Sequence, residues 1–120
     1  MQTILIVDDE PLIVQLWRRI FHPLNCALVS AADGAQALQI LRTQEIDVLV
    51  TDLCMPNLDG VGLLHAIHSE PRFAQLTTFV CSGFSNEIDL DGFLIERIIA
   101  KPFDVKEERT YFTRFLQSPR

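Results

Sequence analysis

The chain has 120 residues, enough for one compact domain around one core and too few for a two-domain enzyme or a sensor with its own effector. Hydrophobic residues make up 48% and charged residues 22%, the balance of a folded domain and not of a disordered tail. Lys plus Arg number 10 against 16 Asp plus Glu, so the formal net charge is -6, which disfavours binding along a nucleic-acid backbone and suits a divalent cation if the acids converge.

From the N-terminus, Thr3 to Val7 is a β-branched apolar run closed by Asp8-Asp9, the pattern of a strand buried on both faces. Glu10-Pro11 then opens a helix, with Pro where a first turn tolerates it. Ile13, Leu16, Trp17 and Ile20 recur at helical spacing, Arg18 and Arg19 fall opposite, and Pro23 stops the helix near His22. Ala27 to Ser30 is a second strand. Asp33-Gly34-Ala35-Gln36 reads as a capping box that starts a helix with Ala37, Leu38 and Leu41 on its apolar side. Val48 to Thr51 is a third strand ending at Asp52, followed by a loop from Cys54 to Gly60 that contains Pro56 and Asn57.

Asp59 caps the next helix, which carries Leu63, Leu64 and Ile67 and stops before Pro71. Thr78 to Cys81 is a fourth strand, followed by Ser82-Gly83. In the stretch from Ser85 to Glu96, apolar residues alternate with acids and Gly92 interrupts, which predicts a short helix or an irregular segment. Arg97 to Ala100 is a fifth strand ending at Lys101-Pro102. Asp104 to Leu116 is a last helix with Val105, Phe112, Phe115 and Leu116 on one face and Glu107 and Glu108 in a solvated first turn. Tyr111 is read chiefly as core.

Several features suggest little chemistry. The longest apolar runs fall far short of the ~20 residues of a membrane span. No basic-then-apolar leader opens the chain, so a cytoplasmic location without membrane association is expected. Cys26, Cys54 and Cys81 lack C-x-x-C spacing and are read as buried free thiols. His65 and His68 are three apart on a helix with no third ligand nearby, which favours solvated positions over a metal site. Arg109 and Arg114 form no basic patch, so no direct nucleic-acid contact is expected.

Five strands alternating with helix-sized segments imply βαβ crossovers, hence an α/β, doubly wound parallel sheet covered on both faces. Ligands of such sheets sit beyond the carboxyl ends of the strands. There this chain places Asp8-Asp9, Asp52, Ser82 and Lys101. Clustered carboxylates repel one another unless a hard cation joins them, and Mg²⁺ takes one or two carboxylates plus phosphate oxygens. With Asp52 as nucleophile and Lys101 as a compensating charge, the set suits phosphoryl transfer onto an acyl phosphate.

The segments "ILIVDDEP", "VLVTDLCMPNLDG", "FVCSG" and "IIAKPF", in this order, resemble the receiver domain of two-component response regulators over nearly the whole chain. The resemblance implies a flavodoxin-like five-stranded sheet of order 2-1-3-4-5, residues 1–120 forming one receiver domain. It implies phosphorylation of Asp52 by a sensor histidine kinase or histidine phosphotransfer protein. The Mg²⁺ ligands would be Asp9 directly, Asp8 mostly through water, Asp52, and the carbonyl of Cys54. Lys101 would contact the phosphoryl group, its bond to Pro102 is often cis in this family, and Ser82 matches the switch hydroxyl. A downstream protein or a fused output domain would read the change, and a homodimer on phosphorylation is a further expectation. No turnover of an external substrate is implied.

Three departures carry expectations of their own. Ile98 stands where the family often has a switch aromatic. Nineteen positions separate Ser82 from Lys101, which predicts a shortened fourth helix. Cys54 and Phe84 stand where polar residues often orient an attacking water, which predicts slow self-dephosphorylation. A receiver-like interaction domain independent of phosphorylation is the principal alternative. A haloacid-dehalogenase-type phosphohydrolase would need an acid in place of Cys54, and a flavodoxin a phosphate-cradling loop after the first strand. Whether the chain stands alone or was excised from a larger regulator or hybrid kinase stays open.

Overall fold

Alternation along each strand decides which side of the sheet a residue feeds. The computed structural model describes residues 1–55, 57–83 and 89–117. Its strands are β1 (Gln2–Val7), β2 (Cys26–Ala31), β3 (Val48–Asp52), β4 (Thr77–Ser82) and β5 (Arg97–Ala100). All pair in parallel, in the order β2-β1-β3-β4-β5. The crossovers are α1 (Pro11–Phe21), α2 (Gly34–Thr43) and α3 (Gly60–His68), with a 3-10 turn at Pro71–Phe73, and α4 (Val105–Gln117) follows β5. The flavodoxin-like architecture and its strand order are as expected.

Ile4, Ile6, Val48, Val50, Phe79, Cys81 and Ile99 face α1 and α4, where they meet Trp17, Ile20, Phe21, Phe112 and Phe115. The intervening Leu5, Val7 and Leu49 face α2 and α3, whose Ala37, Leu41, Leu63 and Ile67 close the opposite layer. Phe112 sits at the centre of the first layer, edge-on to Trp17, Phe21 and Phe79 with centroids 5.8, 4.8 and 4.9 Å away. Such herringbone contacts add to the area each ring buries.

The caps form nearly as expected. Asp33 Oδ1 accepts from the Gln36 N–H at 2.8 Å, but the Gln36 side chain reaches one residue further back than a capping box requires, accepting from the Ala32 N–H at 2.7 Å. Asp59 Oδ1 accepts from the Gly62 N–H and Asp104 Oδ1 from the Glu107 N–H.

The predicted irregular segment between β4 and β5 is partly described. Phe84 to Ile88 and Pro56 lie outside the described residues, and residues 89–96 form turns and no helix. This stretch is held by residues expected to be merely solvated. The Leu94 N–H donates to His68 Nε2 at 2.9 Å, which leaves the imidazole proton on Nδ1, 2.9 Å from the Leu64 carbonyl. The rings of His65 and His68 both abut Phe93, with centroids 4.8 and 5.2 Å away. The two histidines are exposed, as expected, yet they dock the crossover onto α3.

Other expectations are corrected. Cys54 is exposed and Cys26 half-buried, and only Cys81 is a buried thiol. Glu108 is not solvated: it is 4% exposed and makes a bidentate ion pair with Arg97 at 2.7 and 2.9 Å. The signal was present in the sequence, because Glu108 lies on the same helical stripe as Val105, Phe112 and Phe115. Among the described residues, no helix is long and apolar enough to cross a membrane.

Candidate functional site

Sheet register builds the site. Val7 pairs with Thr51, so Asp8 and Asp52 are the next residues on adjacent parallel strands. Ser82 pairs with Ala100, so Lys101 follows at the end of the neighbouring pair. Acids and amine thus reach one rim from strands far apart in the chain.

The geometry there is tight. Lys101 Nζ lies 2.9 Å from Asp8 Oδ2 and 3.4 Å from Asp52 Oδ2, so one ammonium bridges two carboxylates. Asp52 Oδ1 accepts from the Leu53 N–H at 2.9 Å, and Asp8 Oδ1 from the Glu10 N–H at 2.9 Å. Asp8 and Asp52 are buried, whereas Asp9 is exposed. Ser82 is buried at the end of β4, and its carbonyl accepts from the Lys101 N–H at 3.1 Å. Cys54 is exposed in the loop after β3. The Lys101-Pro102 bond is cis.

Asp8, Asp9 and Asp52 each offer one carboxylate oxygen, and the three atoms lie within 4.8 Å of one another. Around an octahedral Mg²⁺ with bonds of about 2.1 Å, neighbouring oxygens are about 3.0 Å apart and opposite ones about 4.2 Å, so the three carboxylates would draw inward to share one ion. The all-oxygen donor set suits a hard cation, and the exposure of Asp9 leaves room for metal-bound water.

Charge at this rim is finely opposed. Burial raises the Asp52 carboxyl above its ordinary value; Lys101 pulls it down, Asp8 pushes it up, and the net shift is upward. Burial alone would lower the Lys101 ammonium, but the hydrogen bond and charge of Asp8, backed by Asp52, leave it above the usual lysine range.

A carboxyl raised on folding contributes its full stability below its unfolded value and loses it as pH rises through the folded value. Asp52→Asn cannot ionise and escapes that loss. In EDTA at pH 7 the variant should therefore be more stable than the wild type. The advantage should vanish on acidification below about pH 4, where Asp52 is protonated in both states. Urea denaturation at the two pH values measures this, and equal stability at pH 7 would contradict it.

Asp8, Asp9, Asp52 and Lys101 are thus brought together by direct geometry, with Ser82 and Cys54 on adjoining segments of the rim. Residues that hold the loop after β3 escaped the sequence reading. Asn57, at φ 62°, donates from Nδ2 to Asp33 Oδ2 at 2.7 Å, across 24 positions. Only the left-handed tendency of Asn in such a loop hinted at its role.

Comparisons with known proteins show what the chain as a whole is similar to. A family model described as the response regulator receiver domain matches residues 4–112. Response regulator GtcR of Aneurinibacillus migulanus is 31% identical over 106 residues, covering 88% of this chain and 44% of that protein. Regulator of RpoS of Escherichia coli K12 is 34% identical over 102 residues, covering 82% of this chain and 30% of that protein. The chain therefore spans less than half the length of these curated relatives. Among solved structures, the signal receiver domain of an HD domain-containing protein from Pseudomonas fluorescens Pf-5 superposes with a TM-score of 0.81 at 29% identity, covering 97% of this chain and 94% of that one. Response regulator TrrA of Thermotoga maritima, in complex with Mg²⁺ and BeF, gives a TM-score of 0.81 at 23% identity, covering 95% of this chain and 98% of that one.

Proposed function

The chain belongs to the response regulator receiver domain family of two-component systems, and from that membership we propose that it takes a phosphoryl group from a phosphohistidine onto Asp52 and thereby changes its protein contacts. The observation that carries this reading is the bridging of Asp8 and Asp52 by Lys101, with Asp9 completing a carboxylate cluster sized for one ion.

A carboxylate oxygen of Asp52 attacks phosphorus in line with the leaving imidazole nitrogen. The P–O bond forms as the P–N bond breaks, and the imidazole keeps the electron pair. Lys101, already 3.4 Å from Asp52 Oδ2, turns its ammonium to the new phosphoryl oxygens. Ser82 at the end of β4 donates its hydroxyl to the same group, which biases the segment behind it. Mg²⁺, held by Asp8, Asp9, Asp52 and the Cys54 carbonyl, would supply charge neutralisation at the transferred oxygens. The Mg²⁺–BeF complex of TrrA, a protein of the same fold, supports that assignment.

The chain would catalyse only its own modification and its reversal. Its partners would be a sensor histidine kinase or histidine phosphotransfer protein and a downstream protein or fused output domain, all in the cytoplasm. Ile98, 47% exposed on β5, has no ring to turn inward, so the switch would work without an aromatic rotation there.

The test is intact mass after incubation with Mg²⁺ and acetyl phosphate. A single phosphoryl adduct on the wild type, absent from Asp52→Ala, is expected. No adduct with any donor would sink the proposal and support the phosphorylation-independent alternative. The same adduct, followed after donor removal in Mg²⁺, should decay slowly, and loss within seconds would contradict the reading of Cys54 and Phe84.

A further inference from the structure

We propose that Asp33, Gly34 and Asn57 form a clamp that positions the loop after β3, so that the start of α2 sets how well the acidic rim binds its cation. The inference rests on the proposed function and assigns a positioning role to residues outside the rim.

The clamp has three parts. Asp33 divides its carboxylate: Oδ1 caps α2 through the Gln36 N–H at 2.8 Å, and Oδ2 accepts from Asn57 Nδ2 at 2.7 Å. Next to it, the Gly34 N–H donates to the Leu58 carbonyl at 2.9 Å. The approach is so close that a Cβ on Gly34 would stand 2.1 Å from that oxygen, a clash with backbone that cannot rotate away. Asn57 itself holds a positive φ of 62°, a conformation that few non-glycine residues adopt without support.

The far end of the loop is fixed to the acceptor. The Gly60 N–H donates to the Leu53 carbonyl at 3.0 Å, and a Cβ on Gly60 would fall 2.2 Å from the carbonyl oxygen of Asp52. Between these anchors lies Cys54, whose carbonyl is the proposed backbone ligand. A carbonyl in a loop has no side-chain rotamer to adjust, so its position is that of the loop. Groups that orient a ligand without touching the metal typically carry about 10–100-fold in affinity.

Donor and acceptor at the clamp can be exchanged, which gives the test. In Asn57→Asp two carboxylates face each other and the contact is lost, while the helix cap on Asp33 Oδ1 stays in place. Asn57→Gly deletes the contact with no change of charge and tolerates the positive φ. The double variant Asp33→Asn/Asn57→Asp restores a donor–acceptor pair with the original net charge. Mg²⁺ dissociation constants are measured by titration calorimetry on the full chain, with Asp9→Asn as the ligand control and Tm in EDTA reporting the fold.

Asn57→Asp and Asn57→Gly should each weaken Mg²⁺ binding roughly tenfold, and the exchanged pair should recover most of it. Mg²⁺ affinities within about twofold of the wild type in both single variants, while Asp9→Asn loses binding, would overturn the clamp and leave the proposed function standing. Failure of the double variant to recover, with an unchanged Tm in EDTA, would also overturn it. Absence of Mg²⁺ binding by the wild type would overturn both.

Discussion

Lys101→Met should destabilise the metal-free protein by about 3 kcal/mol at neutral pH, and Mg²⁺ should return most of that loss. In the wild type one ammonium serves two buried carboxylates, 2.9 Å from Asp8 and 3.4 Å from Asp52. Methionine fills a similar volume but leaves the acids facing each other with no counter-charge. Breaking a buried pair by removing one partner is costly for that reason.

The deficit should grow as pH rises through the carboxylate range and shrink in acid, because protonation is the only other relief for Asp52, whose carboxyl is already raised by burial and by Asp8. Added Mg²⁺ should stabilise the variant more than the wild type, in which the ion competes with the ammonium for the same oxygens. Urea denaturation with EDTA and with Mg²⁺ gives both numbers. Equal stabilities in EDTA, or equal Mg²⁺ increments, would contradict the account. Phosphorylation by acetyl phosphate should fall in the variant even with Mg²⁺ present, since no ammonium remains to meet the phosphoryl oxygens.

The second large effect lies away from the rim. Arg97→Met should cost about 3–5 kcal/mol, and Glu108→Met clearly less. The pair is bidentate, but its members are unequally placed: the Glu108 side chain is 5% exposed and that of Arg97 32%. Removing the arginine strands a carboxylate between α4 and the sheet. Removing the glutamate leaves a guanidinium that still lies over the Tyr111 ring, 4.2 Å from its centroid, and that has solvent within reach. The double variant Arg97→Met/Glu108→Met should recover part of the single loss, since an apolar pair leaves no buried charge unmatched. Chemical denaturation of the three variants completes the cycle. A larger loss for Glu108→Met than for Arg97→Met would refute the asymmetry.

The same pair marks the boundary of what the sequence could say. Strand and helix order followed from local patterns: apolar runs closed by acids, caps at Asp33 and Asp59, and stops at Pro23 and Pro71. The rim followed as well, because βαβ connectivity makes the strands parallel and brings Asp8, Asp52 and Lys101 to one edge whatever the loops do. Glu108 answers to two local patterns that conflict: its place in the first helical turn favours a solvated acid, while its place on the apolar stripe points it inward, and burial against the sheet decides.

By itself, then, the chain's order of residues determined the parallel sheet and the convergence of charged groups, since these depend on periodicity and chain connection, while the strand order came with the family resemblance of its motifs. Tertiary structure alone decided that Lys101 bridges both acids, that Asn57 reaches Asp33, and that His68 takes the Leu94 N–H. Each of these is a contact between segments remote in sequence. Its distance is set by how helices seat on the sheet, a quantity to which no local pattern refers.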